Sequence, residues 1–185
     1  MEKCIPVVVI KELSETDKIL TALKNNGINC AEITFRTACA KEAIEYACKH
    51  YPDMSIGAGT VINAQQCEDA LAAGAQFIVS PGLSVAVAKI CNERGIPYYP
   101  GCVTPTEIMA ALELGITTVK FFPANVYGGL KAMKALSAPF PQVKFIPTGG
   151  VDRSNIDEYL AWDKIEAVGG SFYVKEALDK MNENK

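Results

Sequence analysis

The chain alternates short runs of apolar, β-forming residues with longer segments in which apolar residues recur at helical spacing. Apolar runs of about four to eight residues predict strands, and apolar residues spaced three and four apart predict amphipathic helices. We therefore predict eight strands, at residues 5–10, 30–34, 55–59, 76–80, 97–101, 118–122, 144–148 and 166–170. Helical patterns occupy the intervals, for example over 16–26 and 105–114, and the last of them, over 175–182, is short.

Strands that alternate with helices favour parallel pairing through right-handed crossover connections. Eight such units indicate an α/β fold of the (β/α)8 TIM-barrel type rather than an open doubly wound sheet. At 185 residues the barrel is small, since about 250 residues is typical. No linker or low-complexity segment divides the sequence, so we expect one domain over residues 1–185.

The composition indicates a globular protein and argues against nucleic-acid-binding and membrane-spanning classes. Apolar residues make up 49% of the chain, which is ordinary for a globular protein with a sizeable core. The net charge is −3 and no basic block occurs, so nothing favours a nucleic-acid or anionic-membrane partner. The longest apolar run, 4–10, is far shorter than the ~20 residues that span a membrane.

Cysteine and histidine usage predicts a reducing compartment and chemistry without a metal. Seven cysteines occur without any C-x-x-C pair, which is typical of reduced thiols in the cytoplasm. The single histidine and the scattered cysteines argue against a zinc site. We expect a cytoplasmic protein with no metal and no other cofactor.

Lys120 lies in the middle of the sixth predicted strand with apolar neighbours on both sides. In a barrel interior, desolvation favours the neutral amine of a lysine, and a neutral amine attacks a ketone to form a Schiff base. The alternative is a lysine that extends to the barrel rim and pairs with a carboxylate. Position alone leaves both interpretations open, and the expected burial favours the catalytic one.

The second predicted strand carries a polar face. Under period-two alternation Glu32, Thr34 and Arg36 share one side, with Ile33 and Phe35 on the other. If the polar side faces inward, Glu32 is placed to move protons and Arg36 to hold a substrate carboxylate. The alternative is an internal ion pair that only fills the barrel.

Glycine-rich segments follow three of the predicted strands, at 57–60, 148–150 and 169–171. The last two belong to strands seven and eight, where barrel enzymes often bind phosphate through backbone N–H groups. The first is not a dinucleotide-binding fingerprint, because Ile62 stands in place of the third glycine. The two later segments together predict a phosphate site.

In combination, the motifs of this chain resemble those of one enzyme family over essentially its whole length. In chain order the motifs are Glu32-Ile33-Thr34-x-Arg36-Thr37, Gly57-Ala58-Gly59-Thr60-Val61, Ser80-Pro81-Gly82, Lys120-Phe121-Phe122-Pro123-Ala124, Pro147-Thr148-Gly149-Gly150 and Gly169-Gly170-Ser171. The family is the 2-keto-3-deoxy-6-phosphogluconate (KDPG) aldolases, often bifunctional with 4-hydroxy-2-oxoglutarate (KHG) aldolase activity. The resemblance implies a class I, metal-free aldolase, usually a homotrimer, that cleaves KDPG to pyruvate and glyceraldehyde 3-phosphate in the Entner–Doudoroff pathway. For KHG the products are pyruvate and glyoxylate.

The resemblance also implies roles for residues around the keto acid. Lys120 is similar to the family's Schiff-base lysine, and Glu32 is similar to its general acid/base. Arg36 and Thr60 resemble the groups that hold the pyruvate carboxylate. Phe122 resembles the aromatic wall beside the pyruvoyl group.

At the far end of the substrate, the resemblance implies a hydroxyl contact and a phosphate site. Thr148 is similar to the residue that bonds the distal hydroxyls. The phosphate-binding residues would be Gly149, Gly150, Gly170 and Ser171.

Three features depart from the usual family pattern. The family usually carries a helix before the first strand, so we expect a barrel with a reduced N-terminal helix. The last helix is expected to be short, with weaker closure of the barrel. Phe172 stands where many relatives have Trp beside the phosphate-site serine.

Two alternatives remain open at this point. Aldolases specific for 2-keto-3-deoxy-6-phosphogalactonate typically lack the arginine that is Arg36 here and have valine in place of Thr148, so both residues favour the gluconate substrate. A non-catalytic sugar-phosphate-binding barrel would use Lys120 only as a counter-charge. It would bind phosphate esters without forming a covalent pyruvate adduct.

Overall fold

Eight strands alternate with eight helices in a computed structural model that describes residues 3–183. The strands are β1 Cys4–Val8, β2 Cys30–Thr34, β3 Ser55–Gly59, β4 Ile78–Val79, β5 Tyr98–Tyr99, β6 Thr118–Phe121, β7 Lys144–Pro147 and β8 Val168–Gly170. The helices are α1 Glu15–Asn25, α2 Ala40–His50, α3 Ala64–Ala72, α4 Val85–Arg94, α5 Pro105–Glu113, α6 Gly129–Ser137, α7 Ile156–Leu160 and α8 Phe172–Glu183. The predicted alternation of strand and helix is confirmed.

The strands close into a ring. Six of them form a parallel sheet in the order β5-β4-β3-β2-β1-β8, and β6 pairs in parallel with β7. Parallel bridges join the two sheets, from Gly101 to Lys120 on one side and from Thr148 to Gly169 on the other. Each strand therefore lies beside its neighbours in sequence, and the predicted TIM-barrel-like fold is confirmed.

The inside of the barrel is filled in layers. One layer packs six buried side chains against the partly buried ring of Tyr99: Ile5, Cys30, Phe77, Val79, Ile146 and Ala167. Side chains two residues further along a strand point the same way, so Glu32 follows Cys30 and Thr148 follows Ile146 toward the carboxyl ends of the strands. The apolar layer thus supports a polar layer at the end where barrel enzymes carry their active sites.

Several strands are shorter than predicted. β4 and β5 have two residues each instead of the predicted 76–80 and 97–101. Pro97 and Pro100 flank β5 and have no N–H to donate, so each interrupts the regular ladder, although their carbonyl oxygens still accept from Ile78 and Lys120. β1 ends at Val8 rather than at residue 10, and the next side chain, Val9, is 40% exposed.

The last helix differs from the expectation. It extends over twelve residues, Phe172–Glu183, and packs against α1 and β1, so the prediction of a short final helix was wrong. The predicted range, 175–182, lacks the first turn because three consecutive apolar residues, Phe172, Tyr173 and Val174, show no helical spacing. Within residues 3–183, only Lys3 precedes β1, so the expected reduction of the N-terminal helix stays a prediction.

Over the same residues, none of the helices has the length and apolar character needed to cross a bilayer. The single-domain assignment of residues 1–185 stays a prediction.

Candidate active site

A lysine and a glutamate from opposite sides of the barrel meet in its interior. Lys120 of β6 places its Nζ 3.4 Å from Oε1 of Glu32 on β2. The two side chains are only 5% and 2% exposed. Both therefore face inward, as the alternation along their strands predicts, and each carries a polar group out of bulk water.

The room for this pair comes from a glycine on β3. Gly59 is the register partner of Thr34 on β2. A Cβ at Gly59 would overlap the carboxylate of Glu32, so a larger residue there would displace it. The glycine of the 57–60 segment therefore shapes the pair rather than a dinucleotide site.

The layer beneath the ion pair stays uncharged. Burial raises the pKa of the Tyr99 hydroxyl, and the nearby Glu166 and Cys30 raise it further. A tyrosine hydroxyl is protonated at neutral pH even at its ordinary pKa, so Tyr99 adds no competing charge below Lys120.

Arg36 and Thr60 form a polar contact at the mouth of the barrel. Arg36 is exposed just beyond the end of β2, and its Nε donates a hydrogen bond to Thr60 Oγ1 at 2.9 Å. Thr60 adopts a φ of 55°, in the left-handed region that non-glycine residues seldom occupy. Such strain is often retained at functional sites, where the surrounding structure holds it. The contact keeps the guanidinium over the barrel opening.

Phe122 and Thr148 flank the lysine on neighbouring strand ends. The Phe122 ring lies with its centroid 5.3 Å from Lys120 Nζ. Thr148 is buried, and its Oγ1 has only a long 3.5 Å hydrogen bond to the carbonyl oxygen of Ile146. A hydroxyl with so weak an internal partner is available to a bound substrate.

The late glycine segments lie side by side above β7 and β8. Gly149 and Gly150 have φ values of 88° and 75°, which only glycine adopts at low cost. A Cβ on Gly150 would also overlap the side chain of Asn125. With Gly170 and Ser171 they line one cavity of about 320 Å³.

That cavity brings most of the predicted residues together. Eight of the ten line it: Arg36, Lys120, Phe122, Thr148, Gly149, Gly150, Gly170 and Ser171. The other two lie behind this wall, Glu32 in contact with Lys120 and Thr60 in contact with Arg36. A single opening therefore connects the buried amine to both glycine segments.

Four further residues line the cavity, Val7, Val9, Val151 and Phe172, of which the sequence analysis singled out only Phe172, as a departure from the family pattern. Val7 and Val9 are two apart at the end of β1, so their period-two spacing was the available signal. Val151 and Phe172 directly follow the two glycine segments, but apolar residues at such positions carry no chemical signature.

Within residues 3–183, no group of three or more His, Cys, Asp or Glu side chains is arranged to hold a metal ion. The functional groups of the site are therefore an amine, a carboxylate, a guanidinium and backbone N–H groups. This set of groups suits a keto acid that carries a second anionic group. The absence of a metal requirement stays a prediction.

Comparisons with known proteins agree with this chemistry. Residues 1–185 match the family model described as aldolase, KDPG and KHG aldolase. The 2-dehydro-3-deoxy-phosphogluconate aldolase of Treponema pallidum (strain Nichols) is 45% identical over 172 residues, covering 93% of this chain and 82% of the relative. The KHG/KDPG aldolase of Escherichia coli (strain K12) is 42% identical over 170 residues, covering 92% and 80%.

A solved structure shows the same architecture. The KDPG aldolase of Legionella pneumophila, with pyruvate captured at low pH as a covalent carbinolamine intermediate, is 43% identical to this chain. The two structures align with a TM-score of 0.91, covering 97% of this chain and 88% of the other.

Proposed function

This chain belongs to the KDPG and KHG aldolase family, and from that premise we propose that it uses Lys120 to cleave KDPG into pyruvate and glyceraldehyde 3-phosphate. The observation that carries the proposal is the buried contact of 3.4 Å between Lys120 Nζ and Glu32 Oε1 at the base of the cavity. A class I aldolase needs an amine shielded from water and a group beside it that moves protons.

In the proposed reaction the Lys120 amine attacks the C2 carbonyl of KDPG, and the carbinolamine loses water to give an iminium ion. The iminium withdraws electrons from the C3–C4 bond, which breaks as the C4 hydroxyl loses its proton. The products are glyceraldehyde 3-phosphate and an enamine of pyruvate. Protonation of the enamine at C3 and hydrolysis then release pyruvate and restore the amine.

Glu32 is the proposed proton carrier. It is the carboxylate in contact with Lys120, so it can give a proton to the departing water and take one from the substrate hydroxyl. Phe122 lies over the Lys120 amine and forms an apolar wall beside the three pyruvoyl carbons. Such a wall excludes water from the carbinolamine and the enamine.

The cavity has a group to bind each anionic end of the substrate: a positive charge for the carboxylate and hydrogen-bond donors for the phosphate. Arg36, held by Thr60, would bind the C1 carboxylate at the mouth. Thr148 would bond the distal hydroxyls, and the phosphate would lie against Gly149–Gly150 and Gly170–Ser171. A substrate with an anion at each end and a ketone between them fits this order.

We extend the proposal to KHG as a second substrate, cleaved to pyruvate and glyoxylate, because it presents the same keto-acid end to Lys120 and Arg36. We also place the reaction in the Entner–Doudoroff pathway and the protein in the cytoplasm. Within residues 3–183 none of the cysteines is joined in a disulfide, which suits a reducing compartment. The assembly is proposed to be a homotrimer.

Trapping with pyruvate and borohydride tests the central step. Reduction of the iminium should attach one pyruvate-derived group to the chain, and peptide mapping should place it on Lys120. Lys120→Met should abolish labelling. Lys144→Met is the matched control, since Lys144 lies on the neighbouring strand in an exposed pair with Glu166 and should leave labelling unchanged.

A label on another lysine would refute the assignment of Lys120. Binding of sugar phosphates without any covalent adduct would instead favour the non-catalytic barrel.

A further inference from the structure

Arg153 lies in the loop after β7, between the glycine segments 148–150 and 169–171 in the sequence. It does not line the active-site cavity. Its guanidinium carbon is 5.5 Å from the centroid of the Phe172 ring and 5.7 Å from that of Tyr173. Its Nε donates to both carboxylate oxygens of Glu176, at 2.9 and 3.2 Å, and a second nitrogen lies 2.8 Å from the same carboxylate. Arg153 thus joins the segment after β7 to the first two turns of α8.

Phe172 connects this contact to the cavity. Its ring lines the cavity beside the glycines proposed to hold phosphate. A Cβ on Gly170 would overlap the edge of that ring, so the ring lies directly against the Gly170 backbone. A shift of Phe172 would therefore change the shape of the phosphate end of the cavity.

The loop that carries Arg153 is internally braced. Asn155 Nδ2 donates to the carbonyl oxygen of Gly150 at 3.0 Å, and Asn155 Oδ1 accepts from the backbone N–H of Asp152. The position of Gly150 is therefore tied to the loop, and Arg153 ties the loop to α8. On its outer side Arg153 faces a separate cavity of about 240 Å³ that it shares with Tyr173 and Glu176.

We propose that Arg153 is a positioning residue for substrate phosphate, holding Phe172 and α8 so that Gly149–Gly150 and Gly170–Ser171 keep the spacing that a phosphate monoester requires. This inference rests on the proposed function and adds to it the means by which the two halves of the phosphate site are kept in register. Arg153 does not itself contact the phosphate, because it lies outside the cavity.

Two substrates that differ in phosphate provide the test. Arg153→Ala should raise the KM for KDPG about three- to tenfold with little change in kcat, the size expected for two weak cation–π contacts and one bidentate ion pair near the surface. The KM for KHG, which has no phosphate, should stay within about twofold of the wild type. Lys175→Ala removes an exposed cation from the same helix and should leave both KM values unchanged.

Glu176→Gln separates positioning from simple electrostatic attraction. If Arg153 acted only as a positive charge near the phosphate, removing the Glu176 carboxylate would strengthen phosphate binding and lower the KM for KDPG. If Arg153 acts by position, the same change loosens the guanidinium and raises that KM. We expect the KM for KDPG to rise and the KM for KHG to stay unchanged.

Binding of inorganic phosphate, measured by calorimetry on the unreacted protein, repeats the comparison without catalysis. Weaker phosphate binding in Arg153→Ala and Glu176→Gln would support the inference even if the aldolase assays failed, in which case the proposed function alone would fall. The inference is wrong if both substrates lose affinity equally, if Glu176→Gln tightens phosphate binding, or if neither variant changes it.

Discussion

At the scale of single residues, one buried ion pair dominates the site. Lys120 and Glu32 are each nearly inaccessible to water, and each supplies the other's compensating charge. A buried pair adds little net stability, because desolvation of both ions offsets their attraction. Its persistence in the barrel interior is better explained by chemistry than by folding.

Glu32→Gln tests that explanation, because the amide keeps the size of the side chain and loses the ability to move a proton. General acid–base catalysis typically contributes about 10²–10⁴-fold, so kcat for KDPG should fall by that order while the fold is retained. Steady-state kinetics and circular dichroism measure the two effects. Glu166→Gln, which alters the more exposed pair with Lys144, should leave kcat unchanged. A kcat within a few-fold of wild type for Glu32→Gln would make Glu32 structural.

At the scale of an element, α5 shows how the helices that surround the barrel are started. Thr104 Oγ1 accepts a hydrogen bond from the backbone N–H of Glu107, and the Glu107 carboxylate accepts from the backbone N–H groups of Thr104 and Val103. Pro105 then occupies the first turn, where its missing N–H costs nothing. This capping box begins α5 a few residues after the end of β5, whose neighbour β6 carries Lys120.

Thr104→Ala should lower the free energy of unfolding by about 1 kcal/mol at pH 7, the usual value of an N-cap. Burial alone would raise the pKa of Glu107, but the hydrogen bonds from Val103 and Thr104 outweigh it and hold that pKa below its ordinary value. A lowered pKa stabilises the fold above the unfolded-state pKa, and this stability is lost as the pH falls through the folded-state value.

The loss of unfolding free energy in Thr104→Ala, relative to wild type, should therefore be smaller at acidic pH than at neutral pH. Urea unfolding at neutral and acidic pH measures it. Thr106→Ala, at an exposed position in the same turn, should be neutral or slightly stabilising. A loss of stability independent of pH would show that the hydrogen bond from the Thr104 hydroxyl to the Glu107 carboxylate contributes nothing.

At the scale of the whole molecule, three large apolar side chains are exposed beyond the carboxyl ends of strands, in the loops that follow β3 and β6 and at the start of α4, which follows β4. Ile62 is 59% exposed, Val85 50% and Val126 71%. Ile62 also borders a shallow depression with Leu83 and Ser84. In the proposed homotrimer, a second copy of the chain would cover the apolar surface around Ile62 and the depression beside it.

Light scattering should therefore give about three times the chain mass of 19.9 kDa. Ile62→Asp should shift the protein toward the monomer, because an unpaired charge in an apolar interface is costly. Gln76→Asp adds the same charge just before β4, at the opposite end of the barrel, and should leave the mass unchanged. A monomeric wild type would contradict the trimer, and a trimer unaffected by Ile62→Asp would place the interface elsewhere.

Much of the architecture is readable from local pattern. The alternation of strands with helices follows from apolar periodicity, which depends only on near neighbours in the chain. Gly95 illustrates a helix end: it has a φ of 65° and closes α4 in the left-handed conformation, the usual role of glycine just after a helix. The inward direction of Glu32 and Lys120 likewise follows from alternation along a strand.

Contacts between distant segments were not readable in this way. Glu32 and Lys120 are 88 residues apart, and they meet only because the sheet closes into a ring that brings β2 opposite β6. The same closure places Val7 and Phe172 in the wall of the active-site cavity. It also brings Arg153 into contact with Glu176. The sequence by itself determined which residues carry chemistry and toward which side of each element they point, because backbone geometry sets those directions locally. Only the tertiary structure decided which of them touch, because ring closure and exclusion of water act on the whole chain at once.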